Sequence, residues 1–247
     1  MTTKAIPGML LTLPGPADVA NEAAARIAAS LRKAIGDRGA ATLALSGGET
    51  PRATYTCLAV APDVDWSRVR IYWVDERAVS PDDPQSNYKS AKETLLDAAR
   101  VPPDNVRRMP AERADLDEAA RAYEQLIRAE VPCDDDDIPA FDVMVLGIGD
   151  DGHTASLLPD HPAVAATDRL VAAIGVTPGR EPRMTLTVPV IERARSVFIL
   201  AVGARKTPAI ERVWSASGSL SETPARVVRG VRGEVWWILD KAAAGLG

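Results

Sequence analysis

One of the two histidines in this 247-residue chain, His153, stands inside Gly147-Ile148-Gly149-Asp150-Asp151-Gly152-His153-Thr154-Ala155-Ser156-Leu157-Leu158-Pro159. An unperturbed imidazole changes charge near neutral pH, so it is the side chain best suited to move a proton there. Asp151, two residues earlier, is placed to orient the ring or to hold its charge, the help a general base needs. The same residues allow a plainer reading, an Asp-Gly turn with His153 as its polar surface. His161, between Asp160 and Pro162, reads as a loop residue.

Three further groups bear on the chemistry. Ser46-Gly47-Gly48-Glu49-Thr50-Pro51 offers hydroxyls and free backbone N–H groups ahead of a helix whose expected N-cap is Thr50 and first residue Pro51. A helix N-terminus carries partial positive charge, so an anion is its natural guest. A tight turn with a cap and no ligand is the other reading. Asp75-Glu76-Arg77, followed by Ser86-Asn87, brings a carboxylate pair and a guanidinium. Arg183 and Lys206 add cations beside two more expected strand ends. Either alone reads as a solvated charge. Together with the glycine loop they form a cage for a phosphate dianion, which Arg grips bidentately and Lys as a point charge.

The elements that carry these groups give them a common address. Phe141 to Leu146 is an apolar run that reads as a buried strand, so residues 147–153 leave its C-terminal end. Ala41 to Leu45 reads as a strand ahead of Ser46, and Val69 to Val74 as one ahead of Asp75. Further strands are expected at 171–176, 185–188, 197–202 and 235–239. Helices are expected at 18–35, with Ala20, Ala24, Ile27, Leu31 and Ile35 on one face, and at 51–60, 87–99, 115–130 and 206–214. Strands alternating with helices imply an α/β fold, a doubly wound, mostly parallel sheet with helices on both faces. Such sheets bind ligands outside the carboxyl ends of their strands. The breaks at 132–139, where Asp134-Asp135-Asp136-Asp137 reads as a solvated loop, and at 177–182 are short. Residues 1–247 are therefore read as a single domain.

Other motif readings fail on context. Gly147-x-Gly149-x-x-Gly152 fits the dinucleotide fingerprint, but Pro159 and Pro162 deny it the long helix it must open, and two aspartates would repel a pyrophosphate. No nicotinamide or other cofactor is expected. Ala44-Leu45-Ser46-Gly47-Gly48 approaches a serine-esterase elbow, in which the helix starts at the nucleophile, whereas Pro51 delays it here. Ser86-Asn87-Tyr88-Lys89 matches S-x-x-K without any companion motif.

A net charge of −5 argues against nucleic acid as a partner. A hydrophobic content of 46% fits a globular protein with a sizeable core. Cys57 and Cys133 form no CxxC pair and have no metal-ligand spacing, so a reducing cytoplasm and no metal are expected. The start, Met1-Thr2-Thr3-Lys4-Ala5-Ile6-Pro7, lacks the apolar core of a signal peptide, and no apolar run approaches the ~20 residues of a membrane span. The expected partner is a small molecule, bound by a monomer or weak homodimer.

The ordered set Leu45-Ser46-Gly47-Gly48-Glu49-Thr50-Pro51, Asp75-Glu76-Arg77, Ser86-Asn87, residues 147–159, Arg183-Met184-Thr185 and Gly203-Ala204-Arg205-Lys206 is similar to the family of 6-phosphogluconolactonases and glucosamine-6-phosphate isomerases/deaminases. The similarity runs over nearly the whole chain. It implies a modified Rossmann-like domain and hydrolysis of 6-phospho-D-glucono-1,5-lactone to 6-phosphogluconate, in the oxidative branch of the pentose phosphate pathway. It also implies phosphate binding at Ser46, Gly47, Gly48, Arg183 and Lys206, with proton transfer at His153. Deaminase-type members carry a catalytic Glu five residues after the His, where this chain has Leu158, so the resemblance favours a lactonase over a deaminase. A non-catalytic sugar-phosphate sensor is a third reading, against which the intact Asp151 and His153 speak. On the lactonase reading Thr50 joins the phosphate loop and Asp151 orients His153. Arg77, ahead of a backbone N–H, is the expected stabiliser of the oxyanion, and Asp75 positions Arg77 or a substrate hydroxyl.

Overall fold

The computed structural model describes residues 6–133, 137–176, 179 and 181–246. The expectations for Met1 to Ala5, for Asp134, Asp135 and Asp136, and for positions 177, 178 and 180 lie outside the described residues. In chain order the elements begin β1 (Met9–Leu13), α1 (Pro16–Arg38), β2 (Ala41–Leu45), α2 (Glu49–Ala59), β3 (Val69–Trp73), β4 (Asp75–Arg77) and α3 (Asn87–Ala91). They continue α4 (Leu116–Glu130), β5 (Val143–Gly147), β6 (Val171–Ile174), β7 (Arg183–Leu186), α5 (Val188–Arg193), β8 (Ser196–Ala201), α6 (Thr207–Trp214) and β9 (Glu234–Asp240).

Six strands make one parallel sheet in the order β1-β9-β8-β5-β2-β3. Every residue of β2 is buried, as are Val143 to Leu146 of β5, and strands covered on both faces read as continuous apolar runs. That is why these central strands are visible in the sequence. Helix α1 buries Val19, Ala23, Ile27, Leu31 and Ala34 at three- and four-residue steps and packs on α2 and on β2, β8 and β9. It stops at Gly39, whose left-handed backbone (φ 81°) lets its N–H reach the carbonyl of Ile35 at 2.8 Å. Among the described residues no helix is long and apolar enough to cross a membrane.

The expected α/β architecture is present, but two of its expected strands leave the main sheet. β6 and β7 join β4 in a separate antiparallel sheet, ordered β4-β7-β6. β7 covers 183–186, not 185–188, because Val188 already opens α5 with a proline in its first turn. The helix expected over 87–99 is α3 followed by a π-turn, Lys92–Leu96.

In the parallel sheet the chain runs from β2 outward to β3, then returns to the other side of β2 for β5. The direction of winding therefore reverses between β2 and β5, which lie side by side. At such a switch point the loops leaving the two carboxyl ends diverge and open a crevice. Residues 46–48 leave β2 there and residues 148–153 leave β5.

Candidate active site

The loop after β2 is held from behind by Tyr55 on α2. Its buried hydroxyl accepts the Ser46 N–H at 3.0 Å and donates to the Ser46 carbonyl at 2.9 Å, replacing the strand ladder that ends at Leu45. Desolvation pushes the Tyr55 phenol far above its ordinary value, so it stays protonated and able to donate. Ser46 is only 6% exposed, and its Oγ has no hydrogen-bond partner although it lines the cavity described below. Thr50 is not the N-cap: α2 starts at Glu49, and Gly48 (φ 111°) takes the cap position with no side-chain bond. The glycine conformation turns the chain into the helix two residues earlier than a Thr50 cap would. Thr50 and Pro51 lie in the first turn and still line the cavity.

The turn after β5 closes on itself through Gly149 N–H to the His153 carbonyl (2.8 Å) and Gly152 N–H to the Gly149 carbonyl (3.0 Å). No long helix follows, so the glycine spacing makes a tight turn and not a dinucleotide loop. Asp151 Oδ1 accepts the backbone N–H of His153 at 3.0 Å and stands 2.6 Å from its Nδ1. This fixes the ring and leaves Nε2 as the nitrogen without an Asp151 contact. Gly149 is required here, because a Cβ would overlap Nδ1 of His153 and fall 2.5 Å from Asp151 Oδ1. His161 instead caps the short 3₁₀ turn at Pro162–Ala165 through Nδ1 and the Ala163 N–H.

The antiparallel sheet supplies the opposite charges. Arg77 and Arg183 are directly paired across β4 and β7, and like charges in that position repel unless an anion joins them. Asp75, two residues before Arg77, is buried. It accepts from Ser156 Oγ at 2.6 Å, and its Oδ2 lies 3.6 Å from Arg183 Nη1. The carboxylate thus holds Arg183 and the segment after His153, whereas Arg77 donates to the Gln85 carbonyl at 2.5 Å. Of the two partners expected for Asp75, Arg77 or a substrate hydroxyl, the place of the first is taken by Arg183, and a hydroxyl contact would need the ligand. Asn87 donates to the Asp75 carbonyl at 2.9 Å, and Gly47 has no Cβ because the Asn87 amide fills that space. Glu76, also buried, points away into backbone N–H groups of Arg77, Asn87 and Tyr88, so its role is to anchor the start of α3. Ser86 caps the same helix through the Lys89 N–H, which accounts for the S-x-x-K pattern.

Lys206, before α6, meets Asp150 at 2.6 Å. A cavity of about 370 Å³ joins the parts: Ser46 to Pro51, Asp75, Arg77, Asn87, His153, Arg183, Arg205 and Lys206 all line it. Asp151 stands behind His153 and outside the lining. The sequence does not mark Ser156, Asp150 or Arg205 as site residues. Ser156 sits within the motif at 147–159, and nothing in its spacing announces a partner on β4. Among the described residues no group of three or more His, Cys, Asp or Glu is arranged to hold a metal ion. An imidazole held by a carboxylate, beside several cations and a helix N-terminus, can move a proton on a ligand anchored by an anionic group.

A Rossmann-like α/β protein with its ligand crevice at the switch point is the class these features define. Residues 14–237 match the family described as glucosamine-6-phosphate isomerases/6-phosphogluconolactonase. The chain is 41% identical over 213 residues to a 6-phosphogluconolactonase of Synechocystis sp., covering 86% of this chain and 87% of that one. It is 39% identical over 235 residues to a 6-phosphogluconolactonase of Streptomyces coelicolor, covering 92% and 89%. The crystal structure of 6-phosphogluconolactonase from Leishmania guyanensis superposes with a TM-score of 0.86 at 29% identity, covering 96% of this chain and 97% of that one. The chain belongs to the glucosamine-6-phosphate isomerase/6-phosphogluconolactonase family.

Proposed function

We propose that this protein hydrolyses 6-phospho-D-glucono-1,5-lactone to 6-phosphogluconate, the lactonase step of the oxidative pentose phosphate pathway, in the cytoplasm and as a monomer or weak homodimer. The observation that carries the reading is a carboxylate-held imidazole, His153, on the wall of the same cavity as the Ser46 loop, Arg183 and Lys206. In that reading the 6-phosphate sits on residues 46–50 with Arg183 and Lys206 neutralising it, and anchoring turns binding energy into position. With Nδ1–H donated to Asp151, Nε2 of His153 removes a proton from water as its oxygen attacks C1. Arg77 or a backbone N–H stabilises the tetrahedral oxyanion. The imidazolium then returns the proton to the ring oxygen as the C1–O bond breaks, and the new carboxylic acid ionises to solvent. A lactone is an activated ester, so the mechanism asks for neither metal nor cofactor. Leu158, buried where deaminases carry their extra Glu, supports hydrolysis over deamination.

The test is hydrolysis of freshly made 6-phosphogluconolactone, coupled to oxidation of the product and corrected for spontaneous hydrolysis. His153→Ala is expected to lower kcat by about 10²–10⁴-fold with KM little changed. A kcat within a few-fold of wild type rejects the general base. Arg183→Ala and Lys206→Ala are expected to raise KM for the phosphorylated lactone alone. An equal rise for plain gluconolactone rejects the phosphate assignment, and ammonium release from glucosamine-6-phosphate would favour the deaminase.

A further inference from the structure

Lys206 already has an anion. Its Nζ lies 2.6 Å from Oδ1 of Asp150, and Nε of Arg205 lies 3.6 Å from Oδ2 of the same carboxylate. Lys206 and Arg205 both line the cavity, whereas Asp150 does not. The turn that carries Asp150 is pinned beside them, because Arg212 on α6 donates to the Asp150 carbonyl at 3.3 Å. The Lys206 ammonium holds the Asp150 carboxyl below the usual carboxylate range, so the group is an anion throughout the neutral region.

Stability does not explain this pairing. The Asp150 side chain is 46% exposed and that of Lys206 25%, and partly exposed ion pairs contribute little to folding. The carboxylate does satisfy the cation that a phosphate needs. A phosphate reaching Lys206 must displace Asp150 or bind beside a like charge. The product makes the point sharper, since 6-phosphogluconate keeps the phosphate of the substrate and gains a carboxylate, so every cation that captures the substrate also retains the product.

We infer that Asp150 is an internal competitor of the phosphate group, occupying Lys206 in the empty site and reclaiming it as the phosphorylated product leaves. The inference rests on Lys206 as a phosphate ligand, proposed above, and deepens it by assigning release to a neighbouring carboxylate. Asp150→Asn keeps the shape and the backbone acceptor while removing the charge, and Asp150→Ser serves as a second variant without an amide.

The experiment is calorimetric binding of 6-phosphogluconate, with gluconate as the control ligand, to wild type, Asp150→Asn, Asp150→Ser, Lys206→Ala and Asp150→Asn/Lys206→Ala. Both Asp150 variants are expected to bind 6-phosphogluconate about 3- to 5-fold tighter than wild type, the upper part of the range for a partly exposed ion pair. The gain is expected to shrink below about twofold when Lys206 is absent, and gluconate binding is expected not to change. Unchanged or weaker binding in both variants, or a gain of the same size without Lys206, overturns the inference. If Lys206→Ala weakens 6-phosphogluconate binding while the Asp150 variants gain nothing, only the competitor role is lost. If Lys206→Ala leaves 6-phosphogluconate binding unchanged, the phosphate assignment falls and the inference with it.

Discussion

At the scale of single residues the pairing of His153 with Asp151 depends on what is missing from Gly149. The two side chains occupy the volume that any Cβ at 149 would claim, and the residue is tied on both sides by backbone bonds to His153 and Gly152. Gly149→Ala therefore has no small relaxation open to it, and the imidazole must turn off its carboxylate. A general base without its orienting group loses the correct tautomer and direction together. The expected result is a fall in kcat of about 10²–10³-fold with KM for the phosphorylated lactone within a few-fold of wild type. Steady-state kinetics check it, and a kcat near that of wild type would show that the ring does not need Asp151. The sequence names His153 and Asp151 through their spacing, but not the reason for the glycine, which exists only once the turn has folded back on itself.

At the scale of elements, what is readable depends on how an element is buried. Strands β2, β3, β5, β8 and β9 are legible because the parallel sheet buries them as apolar runs. β1 escapes because its residues are exposed or only half-buried, unlike those of β3 at the other edge of the sheet. β4 escapes because Asp75-Glu76-Arg77 has no hydrophobic period at all. It is a strand only because β7 pairs with it, and that partner is far away in sequence. Glu76 shows how such an element is secured. Its carboxylate accepts N–H groups from Arg77, Asn87 and Tyr88 and the hydroxyl of Ser86, tying β4 to the start of α3. Burial raises its pKa above the ordinary 4.5, against the lowering effect of those backbone donors. The folded state then binds the proton more readily than the unfolded one, so this group's contribution to stability is fullest below 4.5 and is lost as pH rises from there through the raised folded value. Glu76→Gln removes that slope and turns an NH₂ group toward donors, at a cost of about 1–3 kcal/mol. Urea unfolding of both proteins from pH 4 to 7 checks the two effects, and a wild-type-minus-variant difference that is flat with pH would contradict the assigned titration.

At the scale of the whole molecule the site lies where two sheets of different construction meet. The parallel sheet supplies the Ser46 loop and the His153 turn, and the antiparallel sheet supplies Arg77 and Arg183. The chain carries a net charge of −5, yet Arg77, Arg183, Arg205 and Lys206 converge on one cavity, which favours capture of an anion against the overall charge. The fold class and the crevice are legible from strand–helix alternation, whereas the side-chain contacts that tie the His153 turn to the antiparallel sheet are not, because their partners are distant in sequence. Ser156 makes several of them. It is fully buried, donates to Asp75 Oδ2 at 2.6 Å and gives its N–H to Thr185 Oγ1 at 3.1 Å, with Arg183 Nη1 at 3.4 Å from its hydroxyl. Ser156→Ala removes one donor from a buried carboxylate, a loss of about 1–3 kcal/mol visible as a lower urea midpoint at unchanged slope. Asp75 is then left to draw more strongly on Arg183, pulling that guanidinium off the cavity. KM for the phosphorylated lactone is therefore expected to rise several-fold while kcat changes little, and KM for unphosphorylated gluconolactone is expected to stay in place. A lower midpoint with both KM values unchanged would mean that Ser156 ties the His153 turn to the antiparallel sheet without setting the position of Arg183.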